Sequence, residues 1–277
     1  MCGALQVRGR GMARGFAIKR LPGFATVAIV CFVVLYLPIA TLVAYAFNSG
    51  MSIAIWEGFS FRWFVAAWHN EQVIETSLRS LNIAVIAASI ATVAATMAAL
   101  ATTRTNPYPG LTFKYAFINQ PLMVPEIVTA VALLIFFSRI KVWTGYSGLG
   151  YLIAAHTAFC IPFAYLPIRA RLESMDLTLE FAAADLYATP WQAFKRVTFP
   201  LLWPGILSGF MLAFVISLDD VVITEFVKSG GQDTLPTYML GQVRRVITPE
   251  INAISTVFLI LSVLIVTLFF FVSRKKL

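Results

Sequence analysis

EFAAADLYATPWQAFKRVTFPLLWP, residues 180–204, is the longest stretch in the middle of this chain that would sit badly in lipid, and membrane-grade apolar runs flank it on both sides. Its local chemistry is that of two short helices. Thr189 is placed to cap, Pro190 suits a first helical position, and Gln192 stands where a capping box puts its reciprocal acceptor. Phe194, Val197 and Leu201 then follow at helical spacing, with Lys195 and Arg196 off that stripe. Pro200 is expected to end or kink this helix. Upstream, Leu179, Ala182, Ala183 and Leu186 make another short amphipathic helix, and the two meet at Leu186–Ala188. Two readings are open on chemistry alone: an interfacial linker lying on a membrane, or a handle for a soluble partner.

Composition makes the surroundings of the loop a membrane. The 277 residues are 59% hydrophobic and 12% charged, whereas a soluble domain carries about 25% charged residues. A helix needs about 20 apolar residues to cross a bilayer. Six stretches qualify: 24–47, 78–101, 114–138, 149–168, 201–226 and 251–272. The first is too long for a cleaved signal and reads as a permanent helix. Residues 1–20 read as an N-terminal tail whose start is Met1 or Met12, 21–273 as the membrane domain, and 274–277 as a C-terminal tail. The fold class expected is therefore an all-α membrane protein of six transmembrane helices.

Orientation follows from Lys and Arg. With the N-terminus inside, fourteen basic residues fall on inner segments and seven on outer ones. That bias puts both termini and the 180–204 loop in the cytoplasm, and the 48–77 and 227–250 loops outside. The net charge of +8 is absorbed by this pattern and needs no nucleic acid. Three cysteines without a CxxC pair support neither a disulfide framework nor a metal site. There is no G-x-x-x-x-G-K-[ST] loop, HExxH or GxSxG, so no ATP site, cofactor or catalytic residue is expected in this chain.

Three acidic residues lie in the apolar segments: Glu126 in the third, Asp219 and Asp220 deep in the fifth. A charge at the bilayer centre costs at least ~2.5–3.5 kcal/mol, so each must face protein or water. They either line a pathway for a cation or serve structure, by capping a broken helix or pairing with Arg79. Tyr36, Trp143, Tyr146 and Tyr165 are candidate aromatic walls for such a pathway. Gly205 and Gly209 form a GxxxG that permits close helix packing. His156 reads as a satisfied buried histidine more readily than as a proton relay, and His69 as a solvated loop residue. Trp56, Trp63 and Trp68 read as an interfacial belt or as contacts to an external protein.

The loop resembles the EAA loop of ABC importer permeases, whose pattern is roughly E-A-A-x-x-L-G-A, a Phe some five residues on, then V-x-L-P. Ala182, Ala183, Leu186, Ala188, Phe194, Val197 and Pro200 stand in register with it. The family Glu falls on Phe181, with Glu180 one position early, about 100° round a helix. The family Gly falls on Tyr187. A left-handed turn there would cost a Tyr roughly 1–2 kcal/mol, so a different turn geometry is expected. The resemblance implies a MetI-like permease fold whose loop, over 174–200, couples to a cytoplasmic ATPase through Glu180, Phe181, Ala182, Ala183, Asp185, Leu186, Tyr187, Ala188, Thr189, Pro190 and Phe194.

It extends to FVISLDDVVITEFV (214–227), TLPTYMLGQVRR (234–245), TPEINAIST (248–256) and PLMVPEIVTAVALLIFF (121–137). These are similar to the spermidine/putrescine (PotC/PotI-like) branch. That branch implies polyamine import by ATP-driven alternating access at the inner membrane, and a pathway through Asp219, Asp220 and Glu126. It also implies a second permease subunit, an ATPase dimer that binds the ATP, a periplasmic substrate-binding protein and surrounding lipid as partners. The outer segment KSGGQDTLP (228–236) is a candidate contact for the binding protein. Two alternatives stay open: the same machinery for thiamine, ferric iron or an opine, and an ion-coupled secondary transporter using the same acids.

Overall fold

The computed structural model describes residues 24–52, 55–104, 109–245 and 248–274. The expected tail 1–20, with its alternative starts, and residues 275–277 lie outside them. Among the described residues there is no β-strand, only one antiparallel bridge between Asn48 and Phe59.

Among the described residues, six helices are long and apolar enough to span a membrane. They are α1 (Phe24–Tyr45), α3 (Glu71–Thr103), α6 (Glu126–Thr144), α7 (Gly150–Ser174), the rod that ends in α10 (Phe199–Asp219), and α13 (Pro249–Arg274). Shorter pieces join them: α2 (Arg62–His69), α4 (Leu111–Ile118), α5 (Gln120–Met123), α8 (Thr178–Asp185), α9 (Pro190–Ala193), α11 (Val222–Val227) and α12 (Leu235–Arg245). The third span departs from expectation. Residues 114–123 form the separate α4 and α5, and the spanning helix starts only at Glu126, because Pro125 with extended Val124 interrupts the helix.

The core is the three-helix contact of α3, α7 and α10. Ala84, Ala88, Ala91, Ala95 and Ala99 recur along one face of α3 and are all fully buried. In lipid, helices associate by close packing rather than by hydrophobic exclusion from water, so small residues mark the contact. Gly205 and Gly209 do the same on α10. A methyl at Gly209 would stand 2.6 Å from the backbone oxygen of Ala164, and one at Gly205 would stand 2.6 Å from Cβ of Arg171. Hydroxyls in α3 return to carbonyls one turn back, as with Ser89 to Val85 at 2.7 Å and Thr92 to Ala88 at 2.6 Å, which leaves them no unmet polarity. By contrast α1 buries no part of its apolar window.

Pro200 does not end its helix. A π-turn, Phe194–Thr198, comes just before it, with the Phe199 N–H donating to the Phe194 carbonyl five residues back. The wider turn makes room where proline lacks an N–H, so α9, the π-turn and α10 form one rod from Pro190 to Asp219. Trp63, expected in an aromatic belt, is instead buried in α2; Trp56 and Trp68 are exposed. His69 is exposed and bonded only to its own helix, Nδ1 lying 2.8 Å from the Val65 oxygen.

Candidate functional site

The rod breaks at Asp220, whose extended backbone separates α10 from α11. Asp219 and Asp220 therefore lie at a helix end rather than deep in a continuous helix. Breaking a helix inside a membrane frees N–H groups that must find acceptors. The Asp220 carboxylate supplies them. Oδ1 accepts from the Ile223 N–H at 3.2 Å, and Oδ2 accepts from both the N–H and hydroxyl of Thr224 at 2.8 Å. Asp220 is only 6% exposed.

His156 of α7 completes the arrangement. Its Nε2 lies 2.9 Å from the Thr224 hydroxyl and 3.5 Å from Asp220 Oδ2, and its Nδ1 lies 2.8 Å from the Ser217 hydroxyl. Thr224 already donates to Asp220, so its oxygen accepts from Nε2–H. That leaves Nδ1 of a neutral ring to accept from Ser217. The histidine is thus satisfied on both sides and pins the helix break to α7.

Glu126 opens α6, where the helix dipole favours an acid. α11 packs on α6, which brings Glu126, Asp219 and Asp220 to one cleft of about 350 Å³. Phe159 and Phe163, one turn apart on α7 with ring centroids at 5.3 Å, line the same cleft beside Val215 and Ile216. Asp219 is exposed, and among the described residues it has no hydrogen-bond or ion-pair partner, unlike Asp220.

The aromatic walls are not the expected ones. Tyr165 is buried away from the cleft, bonded to Thr102 at 2.9 Å, and Tyr36 lies exposed on α1. Trp143 stands exposed at the end of α6 and Tyr146 in the loop beyond it. Arg79 does not pair with the aspartates either. It bridges Glu75 and the Asp233 carbonyl.

At the opposite end of the rod lies the loop. α8 ends in a Schellman turn: the Tyr187 N–H donates to the Ala184 carbonyl and the Ala188 N–H to the Ala183 carbonyl. Tyr187 sits in the left-handed region at φ 60°. The turn expected to change with Tyr in place of Gly keeps the left-handed geometry, because two hydrogen bonds depend on it. The Thr189–Gln192 capping box is present in both directions, at 3.3 and 2.9 Å. Leu186 is 81% exposed and Tyr187 96%, with Phe181 and Trp191 also exposed. Ala182, Asp185, Thr189 and Pro190 lie on the surface, whereas Ala183, Ala188 and Phe194 are partly buried. Glu180 turns the other way: one carboxylate oxygen accepts from the Thr198 hydroxyl at 3.0 Å and lies 3.2 Å from the Arg104 guanidinium.

A polar cleft of about 440 Å³ lies at the α11 end, where Arg79, Glu225, Lys228, Asp233, Arg244 and Arg245 meet. Lys228 bonds Glu225 at 2.6 Å and Asp233 at 2.7 Å. Partial burial pulls its pKa down, but the two carboxylates outweigh that and hold it above the ordinary lysine value. The 248–256 motif has a structural place too, since Glu250 accepts from Asn70, the residue that caps α3.

Sequence reasoning missed Phe159, Phe163, Ser217, Thr224, Arg104 and Thr198 as partners of the named acids. A signal existed for some. Phe159 and Phe163 are spaced i, i+4, and Ser217, Asp220 and Thr224 follow at steps of three and four. Arg104 and Thr198 carry no such pattern, because they meet Glu180 only through the tertiary fold.

Comparison with known proteins agrees with this architecture. The family described as "Binding-protein-dependent transport system inner membrane component" matches residues 112–276. The putrescine transport system permease protein PotI of Escherichia coli (strain K12) is 35% identical over 245 residues, covering 87% of each chain. The spermidine/putrescine transport system permease protein PotC of Haemophilus influenzae (strain ATCC 51907 / DSM 11121 / KW20 / Rd) is 34% identical over 247 residues, 89% of this chain and 95% of that one. Among solved structures, a bacterial ABC transporter involved in the import of the acidic polysaccharide alginate superimposes with a TM-score of 0.72 at 19% identity, over 91% of this chain and 94% of its own.

Proposed function

Because the chain belongs to the family of binding-protein-dependent transport system inner membrane components, we propose that it is the permease subunit of an importer that takes up polyamines. It is a multi-pass inner-membrane protein, and the family works with an ATPase and a substrate-binding protein. The observation that carries the cargo assignment is the cleft where Glu126, Asp219 and Asp220 converge beside Phe159 and Phe163. A polyamine is a chain of ammonium groups joined by methylenes. Carboxylates attract the ammonium groups, and the phenyl faces accept both the methylenes and the adjacent positive charge. The names of the PotI and PotC relatives support the same cargo.

In this reading both termini and the α8–α9 loop are cytoplasmic, and the polar cleft around Lys228 and Arg244 faces outward toward the binding protein. A second permease subunit pairs with this one across the pathway, and ATP is bound and hydrolysed by a separate ATPase pair. ATPase closure moves the exposed Phe181, Leu186 and Tyr187 turn. The rod carries that motion some 30 residues along to the break at Asp220, and the acidic cleft passes from outward to inward access. The family description and the permease names of the PotI and PotC relatives favour this reading over an ion-coupled transporter.

The test is uptake by the reconstituted complex with its own binding protein. Labelled putrescine or spermidine should accumulate in an ATP-dependent manner. Accumulation of thiamine, ferric iron or an opine in their place would overturn the polyamine assignment while keeping the permease.

A further inference from the structure

The α8–α9 loop buries no side chain of its own in those two helices. α9 is continuous with α10, but α8 buries nothing, so a push on α8 needs a tie of its own to reach the bundle. Among the described residues, one ion pair ties α8 to the bundle, between Glu180 and Arg104. Both partners sit where helix dipoles favour them. Glu180 is in the first turn of α8, and Arg104 caps the C-terminus of α3. Their side chains are about a fifth exposed, 24% and 19%, so water screens the pair only in part. The same Glu180 oxygen takes the Thr198 hydroxyl at 3.0 Å. Thr198 is buried and closes the π-turn at the base of the rod. One carboxylate thus joins the loop, the most alanine-lined helix of the core and the hinge-like turn that leads to the acidic cleft.

We infer that Glu180, Arg104 and Thr198 form a transmission strut, through which displacement of the α8–α9 loop is delivered to α3 and α10. Glu180 is a positioning residue in this role, turned into its own chain and away from the ATPase-facing surface. The inference rests on the reading that the loop docks on the ATPase.

The experiment uses the full complex in proteoliposomes and measures ATP hydrolysed and cargo moved in the same sample. The variants are Glu180→Arg, Arg104→Glu and the double exchange, with Glu180→Gln and Thr198→Val as milder changes should a reversal fail to assemble. Each single change should leave ATPase retention and hydrolysis within about twofold but lower cargo moved per ATP about tenfold, as the carboxylate loses its guanidinium or its hydroxyl partner. The double exchange should recover most of that ratio. Two results would overturn the strut: a lower yield of complex with an unchanged ratio, or release of the ATPase by Glu180→Gln. Failure of the docking reading looks different. There, Phe181→Asp and Leu186→Asp would keep the ATPase bound whatever is done to Glu180.

Discussion

At the residue scale, two neighbouring aspartates have separate physical roles. Asp220 accepts three hydrogen bonds and holds a helix break, while Asp219 is exposed beside the cleft. Asp220→Asn leaves one oxygen for donors that now occupy two, and whichever way the amide turns, its hydrogens would meet at least one N–H. An unsatisfied buried group costs about 1–3 kcal/mol. The variant should therefore lower the melting temperature in detergent, read by tryptophan fluorescence. Asp219→Asn should leave melting unchanged and reduce uptake per folded complex roughly tenfold, as expected for a lost contact to a charged group. If the two variants exchange these phenotypes, the division of roles is wrong. Tyr187 offers a second contrast. Glycine there should relieve about 1–2 kcal/mol of left-handed strain and slow amide exchange in α8. It also removes the most exposed aromatic of the turn, so ATPase retention should weaken even as the turn becomes better ordered.

At the element scale, the molecule depends on how closely α3, α7 and α10 approach. Gly209→Ala puts a methyl 2.6 Å from a backbone oxygen of α7, and a backbone atom cannot move aside as a side-chain tip can. A loss of about 1–3 kcal/mol is expected, the usual effect of overpacking. It should be visible as a lower melting temperature in lipid nanodiscs, while Gly241→Ala, in open space on α12, should not lower it. The rod is the other decisive element. Its π-turn keeps α9 and α10 continuous past Pro200, so the loop and the cleft are the two ends of one body.

At the scale of the whole molecule, orientation is the simplest quantity to measure. With native cysteines removed, Tyr187→Cys should react with a membrane-impermeant maleimide only in inverted vesicles, and Gln232→Cys only in intact cells. The reverse pattern would place the loop outside and remove the ATPase as its partner. The six spans, the capping box and the helix pair of the loop were legible in the sequence, because each is a property of neighbours along the chain: apolar run length, i to i+3 reciprocity, helical spacing. The three acids were legible as exceptions, since charge in an apolar run is costly wherever it lies. What they touch was not. Whether Asp220 caps a helix or meets a cation depends on His156 and Thr224, 64 residues before it and four after. Glu180 faces inward or outward according to where Arg104 and Thr198 arrive. The left-handed turn at Tyr187 was misjudged because propensity weighs one residue's cost, while the folded loop weighs that cost against two hydrogen bonds. Sequence alone determined the class, the number of spans and the helix pair of the loop of this permease, though not where the third and fifth spans begin and end. Only the tertiary structure decided which acid holds the helix break and which stands free, because burial and hydrogen-bond partners are set by residues far apart in the chain.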